Sequence, residues 1–227
     1  VGTTGVPVFT AAGVVNAADY AAGLAPGALA TMFGLNLGAG VTATATLPLP
    51  LELAQVRVLV NGELAQLLYV SDSQINFVLP RAVFGNSAQI AVETPAGETG
   101  PVAVPVTGFA PAIFVMPGSG LAAAQVTGTG QVTSERPARP GEYVEVYCTG
   151  LGAVLFRSAT QLFETITVPQ VSIGGVAATV LYSGLAPGWD GLYQVNVQVP
   201  AGVPAGPQPL AITIGDRQSN APPVQVQ

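Results

Sequence analysis

The chain contains no histidine and no lysine, and only one cysteine among its 227 residues. Without histidine or lysine it lacks the commonest general base and the usual amine nucleophile. A Ser-His-Asp or Cys-His site therefore cannot be assembled, and a zinc site would have neither imidazole ligands nor a cysteine cluster. Cys148 has no partner for an internal disulfide. It lies in the alternating run Tyr143–Cys148 and reads as a buried structural thiol. Charge is equally scarce. Only 8% of residues are charged, against about 25% in ordinary globular domains. Six arginines face twelve carboxylates, for a net charge of -6, so nothing supplies a basic footprint for nucleic acid or an anionic membrane surface. No apolar run reaches the roughly 18 residues of a membrane-spanning helix. No enzyme activity, cofactor or metal is expected, and no nucleic-acid partner or membrane insertion.

Hydrophobic residues make up 49% of the chain, dispersed among 28 glycines and 20 prolines. That texture suits an all-β protein with many turns. So little charge leaves two readings of the surface: a neutral polar coat, or a surface covered by copies of the same chain.

Most informative among what is present is an internal repetition. Gln74-Ile75-Asn76-Phe77-Val78-Leu79-Pro80 returns as Gln194-Val195-Asn196-Val197-Gln198-Val199-Pro200. Pro26-Gly27 with Leu29–Gly38 returns as Pro140-Gly141 with Tyr143–Gly152. Val58–Gly62 with Tyr69 returns as Val171–Gly175 with Tyr182. The order is the same, and the spacing is that of a small domain. Period-two alternation marks strands at Leu29–Phe33, Val56–Val60, Ala65–Val70, Gln89–Glu93 and Val102–Val106. In the second copy they fall at Tyr143–Cys148, Gln170–Ile173, Ala178–Tyr182, Leu210–Ile214 and Pro223–Val226. Asn61-Gly62 and Gly174-Gly175 are hairpin turns. Pro80 and Pro200 close their strands, because proline cannot donate to a ladder.

The expected fold is two tandem immunoglobulin-like β-sandwiches, at residues 14–107 and 141–227. An extended arm precedes them at 1–13, and a β-rich connector at 108–140 contains a candidate hairpin at Ala122–Val132. Val14–Ala22, the only helix-like run, has glycine at both ends and reads as an extended piece followed by a turn. The arm is apolar at Val6, Val8 and Phe9, and Pro7 argues against a central strand. Such a segment is expected to be docked, on its own sandwich or on a neighbour's.

The repeated Pro-Gly lead-in, the glycine turns Gly34–Gly38 and Gly150–Gly152, the two hairpin turns and the closing prolines resemble the TIG (IPT) class of immunoglobulin-like domains. From Val14 onward the chain resembles, more closely, an uncharacterised C-terminal domain family first described from Solibacter and abundant in secreted acidobacterial proteins. The residues that carry this are Val15–Ala18, Ala25–Gly27, Phe33–Leu37, Tyr69–Ser71, Gln74–Phe77, Ala110–Phe114, Tyr147–Gly152, Gly184–Gly188 and Gly191–Asn196. The resemblance implies export and a surface or extracellular role. It brings no activity or site. Such domains usually end longer proteins, whereas this chain is little more than the domain, which favours a free-standing subunit; its start at Val1 fits a mature chain or a trimmed one alike.

Carboxylate pairs are few. Glu142 and Glu145 fall on opposite strand faces, and Glu93 and Glu98 flank a turn as solvated hairpin charges. No loop has calcium-binding spacing. Gly118-Ser119-Gly120 lacks the lysine and helix of a phosphate loop. The loop Ala186–Gly191 carries the only tryptophan, Trp189, beside Asp190, and is a candidate ligand or partner loop whose plain alternative is a cover for the sandwich edge. The faces Gln74-Asn76 and Gln194-Asn196-Gln198 suit side-chain ladders or sugar contacts, or a plain solvent or inter-domain face. The leading expectation is a non-enzymatic extracellular structural protein. It would polymerise into a filament or layer as Val6, Val8 and Phe9 add a strand to the next copy. The alternative is an adhesion module binding glycan or cell envelope through the Trp189 loop.

Overall fold

The computed structural model describes residues 5–227. The chain is all-β, and the described residues contain no helix. They divide into two compact units: the residues up to Gly108 together with Gly188–Gly191, and Phe109–Pro187 together with Leu192–Gln227.

The first unit contains β1 (Val8–Asn16), β2 (Leu29–Leu35), β3 (Ala43–Thr44), β4 (Arg57–Val60), β5 (Glu63–Leu64), β6 (Gln66–Val70), β7 (Gln74–Val78), β8 (Ser87–Thr94), β9 (Gly97–Glu98) and β10 (Val102–Pro105). One sheet runs β1-β2-β7-β6-β3 and the other β10-β8-β4-β5, with β9 paired to β8. With the short β3, β5 and β9 set aside, these are the ABED and GFC sheets of an immunoglobulin sandwich. Alternate residues point inward, so Met32, Ile75, Phe77 and Leu67 from one sheet meet Val58, Ile90 and Val92 from the other. Asn61 and Gly62 both take positive φ (53° and 85°), as the two-residue turn between β4 and β5 demands.

The second unit contains β11 (Ala112–Ile113), β12 (Ala124–Val126), β13 (Gly130–Gln131), β14 (Tyr143–Thr149), β15 (Val154–Arg157), β16 (Leu162–Thr165), β17 (Gln170–Ile173), β18 (Val176–Leu185), β19 (Tyr193–Gln198), β20 (Gly206–Ile214), β21 (Arg217–Gln218) and β22 (Pro223–Val226). The order β12-β14-β19-β18 repeats the ABED sheet, and β17-β20-β22 repeats CFG. The long β18 joins the two: Val176–Ala178 pair with β17, and Thr179–Leu185 with β19. Gly174 and Gly175 (φ 59° and 78°) make the turn equivalent to Asn61-Gly62. Even the bulges recur. The register slips between Leu67 and Tyr69 in β6 and between Val180 and Tyr182 in β18, each placing a tyrosine across from the asparagine of the repeated motif, Asn76 or Asn196. The second core packs Val146, Cys148, Tyr193 and Val195 against Ile173, Leu210 and Ile212. The fully buried Tyr193 donates its hydroxyl to the Gly152 carbonyl at 2.6 Å.

The segment read as a connector is not a free link. β11 and β12 both pair with β14, so they are strands of the second sandwich. Only pairing partners assign them to that sandwich; β12 and β13 pair within the stretch read as a hairpin at Ala122–Val132, whereas the two-residue β11 is too short for its alternation to be read.

Candidate interaction surfaces

Structure within the first unit revises the expected arm. Residues 1–4 lie outside the described residues, and a strand begins at Val8, so the boundary expected after residue 13 falls inside β1. Gly13, which reads as the start of an extended piece, lies inside β1 at a close-approach position. A Cβ there would sit 2.6 Å from the Phe33 carbonyl oxygen. Val8 pairs with Leu35 and Phe9 with Gly34 on the chain's own β2. Phe9, expected to fill a slot on a neighbour, is 7% exposed and lies in the core of its own sandwich. Val8 and Leu35 both face solvent. Val6 is also exposed, beside Gly97, and its carbonyl accepts a hydrogen bond from Asn36 Nδ2 at 3.3 Å. The hold of this segment is local. After Phe9 the register breaks, and pairing resumes only at Val14 with Met32, leaving Thr10–Gly13 across from Phe33 alone.

The Trp189 loop is committed to contacts within the first unit. Gln66 Nε2 donates to Asp190 Oδ2 at 3.2 Å, and Arg81 forms an ion pair with Asp190. Gly191, at φ 79°, packs against Leu29 and Val78, and a Cβ there would sit 3.0 Å from the Leu29 side chain. Trp189 itself is 40% exposed. Asp190 is therefore an anchor for the loop, and a ligand would have to displace its partners to use it.

The carboxylates have ordinary partners. Glu93 and Glu98 stand across from each other on β8 and β9, and Arg57 reaches Glu93 at 3.4 Å and Glu52 at 2.7 Å. Glu142 takes the Arg136 guanidinium at 2.9 Å and the Arg139 backbone N–H at 2.9 Å, and these bonds hold its carboxyl below the usual range. Among the described residues, no group of three His, Cys, Asp or Glu could hold a metal ion.

Two further surfaces stand out; nothing in the sequence points to the first, and of the second it singles out only the Gln194-Asn196-Gln198 face. The first is the hairpin β15–β16, which joins the second sandwich through Glu164 and Gly184. It exposes Leu155, Phe156 and Phe163, with the two rings 5.3 Å apart. Its turn has Gln161 at φ 58° and no glycine, so it gave no turn signal.

The second is the outward face of β12-β14-β19-β18. Register places Gln125 across from Glu145, Glu145 across from Asn196, Tyr147 across from Gln194, Tyr143 across from Gln198 and Tyr182 across from Asn196. Gln125 Nε2 donates to Glu145 Oε2 at 2.5 Å and to the Tyr147 hydroxyl at 2.8 Å. Gln194 Nε2 donates to Asn196 Oδ1 at 2.8 Å. Burial, then the neighbouring Glu145 carboxylate, push the Tyr147 phenol up, so its proton stays on. The first unit repeats the amide pair, Gln74 Nε2 to Asn76 Oδ1 at 2.8 Å, but little else. In place of Gln125, Tyr143, Glu145, Tyr147 and Gln198 stand Val15, Leu29, Thr31, Phe33 and Val78.

Architecture and surfaces together define a tandem pair of immunoglobulin-like sandwiches. No family model and no curated protein matches the chain. Among solved structures it is similar to SGBP-B of the Bacteroides ovatus mixed-linkage glucan utilization locus, in complex with a mixed-linkage heptasaccharide: 14% identity over 90% of this chain and 43% of that one, TM-score 0.36. It is similar to SGBP-B from a complex xyloglucan utilization locus in Bacteroides uniformis, with 14% identity over 89% and 46% and a TM-score of 0.31. Domains 5-6 of the S-layer protein SbsC match at 15% identity over 97% and 98%, TM-score 0.33. The chain spans less than half the length of the two Bacteroides proteins.

Proposed function

We propose that the chain is a non-enzymatic extracellular structural module that joins to copies of itself by exchanging the first part of β1. The observation that carries this is the seat of Phe9. A buried aromatic anchor is held by the first part of β1 with two registered pairs, set off from the rest of the strand by the break at Thr10–Gly13. Every copy offers the same slot. Withdrawing Val6–Phe9 from its own β2 and inserting it into the next copy replaces each lost contact with an identical one. Backbone pairing with β2 gives the affinity, and the Phe9 slot sets the register. Passed head to tail without closing into a ring, the exchange extends into a filament or layer. The exposed apolar hairpin β15–β16 and the sparse charge favour close lateral contact between copies.

The test is a double variant, Val8→Cys with Leu35→Cys, with the buried Cys148 left in place. Residues directly across antiparallel strands have Cα atoms about 4.5–5.5 Å apart, within disulfide range. Oxidation of concentrated, assembled protein should give a covalent ladder on a denaturing gel, and oxidation of dilute protein should give cross-linked monomer. Monomer alone at every concentration overturns strand exchange.

A further inference from the structure

We propose that the outward face of β12-β14-β19-β18 in the second sandwich is a binding site for an extended neutral polysaccharide. It is independent of β1 exchange.

The duplication provides an internal control. Two sandwiches of the same topology come from one unit, so whatever the fold requires must appear in both. The inward positions meet that condition, with apolar residues in each core. Outward positions do not. The first unit keeps Val15, Leu29, Thr31, Phe33 and Val78, whereas the second presents a carboxylate, two amides and two tyrosines. Folding therefore does not demand the polar set, and its concentration on one face calls for another explanation.

The chemistry of the set narrows the ligand. Side chains along a strand recur about every 7 Å and strands lie about 5 Å apart, so four strands make a shallow platform roughly 14 Å wide. A platform suits a chain lying across it better than a small molecule needing enclosure. The Tyr143 ring is 48% exposed and offers an apolar flat beside hydrogen-bonding groups. Sugars present the complement: C–H faces that stack on a ring, and hydroxyls that both donate and accept. Glu145 and Asn196 Oδ1 accept from hydroxyls, and the amide N–H groups donate back. The Gln125-Glu145-Tyr147 network already fixes the orientation of three of these groups, which lowers the ordering cost of binding. Glu145 is the only charge in the set and no arginine joins it, so an acidic polysaccharide is repelled and a neutral one is not. A protein partner would want its aromatic anchors clustered at the centre, whereas the exposed Tyr143 stands at the end of β14.

The experiment is native electrophoresis of the full chain, dilute enough to be monomeric, through gels containing hydroxyethylcellulose, galactomannan, xylan or polygalacturonate. At least one neutral gel should retard the protein. Tyr147→Ala and Glu145→Ala should each weaken that retardation at least tenfold, with far-ultraviolet circular dichroism confirming the fold. Phe33→Ala, at the corresponding place in the first unit, should leave it unchanged. Tyr147→Phe keeps the packing and should give an intermediate loss. No retardation in any neutral gel overturns the proposal. So does retardation that survives both variants, that Phe33→Ala weakens equally, or that polygalacturonate produces as strongly.

Discussion

If β1 belongs to its own sandwich, then Phe9→Ala should destabilise the first unit and leave the second untouched. Phe9 is 7% exposed, so nearly all of its ring leaves water on folding. Truncating a buried phenylalanine costs about 3–5 kcal/mol, depending on how far the surroundings collapse. Two features set the estimate. An edge strand can settle inward, which lowers the cost. Behind Phe9, however, stands Gly34, so close that a Cβ there would lie 3.1 Å from the Phe9 Cβ. Glycine offers no side chain to refill the space, so the cavity persists. About 3 kcal/mol is expected. With a urea m-value of about 1.5 kcal/mol/M for a unit of this size, the midpoint should fall by about 2 M. Trp189 makes the readout selective, because the only tryptophan groups with the first unit. Its fluorescence should therefore follow that unit's unfolding. Leu35→Ala, at a position 69% exposed, is the control and should shift the midpoint by less than about 0.5 kcal/mol. A Phe9→Ala shift below about 1 kcal/mol would refute the seating of Phe9 and remove the basis for strand exchange.

Four further outcomes are expected from the second unit. Tyr193→Phe leaves the Gly152 carbonyl without its 2.6 Å donor and should cost about 1–2 kcal/mol by chemical denaturation, with little change in fold by circular dichroism. Gly150→Ala puts a Cβ 1.8 Å from the Ala110 carbonyl oxygen at φ 78°, so a loss of at least about 3 kcal/mol is expected, or no folded second unit in its NMR spectrum. Cys148 is fully buried, and burial pushes its thiol well above its ordinary value of 9.0. A colorimetric thiol reagent should stay silent on the native chain and report one thiol only after unfolding. Because the folded value is raised, the thiol's contribution is complete below about 9.0 and declines above it. Glu142 behaves oppositely. Its folded pKa lies below the ordinary 4.5, so its contribution is present above that value and is lost as the pH falls through the folded one. Its side chain is 26% exposed and that of Arg136 is 35%, so Glu142→Gln should flatten the acid limb by less than about 1 kcal/mol.

Much of the scaffold follows from local chemistry that short-range reading can see. Gln194, Asn196 and Gln198 alternate with Val195, Val197 and Val199, so one face had to be wet and the other dry. Asn61-Gly62 and Gly174-Gly175 sit where positive φ is required. Positions that mislead share a physical cause, namely that their meaning depends on a partner far along the chain. Gly13 reads only as extended backbone until the Phe33 carbonyl is seen against it. Asp190 reads as part of a ligand or partner loop until Arg81 and Gln66 are brought to it. Ala112-Ile113 reads as linker, and Ala124–Val126 as part of a hairpin between the sandwiches, until both are placed along one edge of β14. The polar platform was half visible. Alternation put Tyr143, Glu145 and Tyr147 on one side of β14, but only the register that sets Glu145 between Gln125 and Asn196 makes a surface of them.

Duplication also separates what the fold needs from what it carries. The tyrosine beyond the bulge, Tyr69 or Tyr182, stands across from the asparagine of both motifs, and the glutamine-to-asparagine bond is 2.8 Å in both. Those features are held in common and belong to the sandwich. Beside them the copies diverge in opposite directions. In the first, Leu29 and Val78 are apolar and covered by Gly191. In the second, Tyr143 and Gln198 hold the same places, with Tyr143 48% exposed. An apolar pair left open would cost solubility, and a polar pair buried without partners would cost stability. Each copy thus suits its own surroundings, so exchanging the pairs tests the division directly. Leu29→Tyr with Val78→Gln should destabilise the first unit by about 2 kcal/mol or more, because the Gly191 backbone leaves no room for the larger groups. Tyr143→Leu with Gln198→Val should leave the second unit folded within about 1 kcal/mol. If both exchanges prove equally harmful, the outward residues of the second unit serve folding rather than recognition.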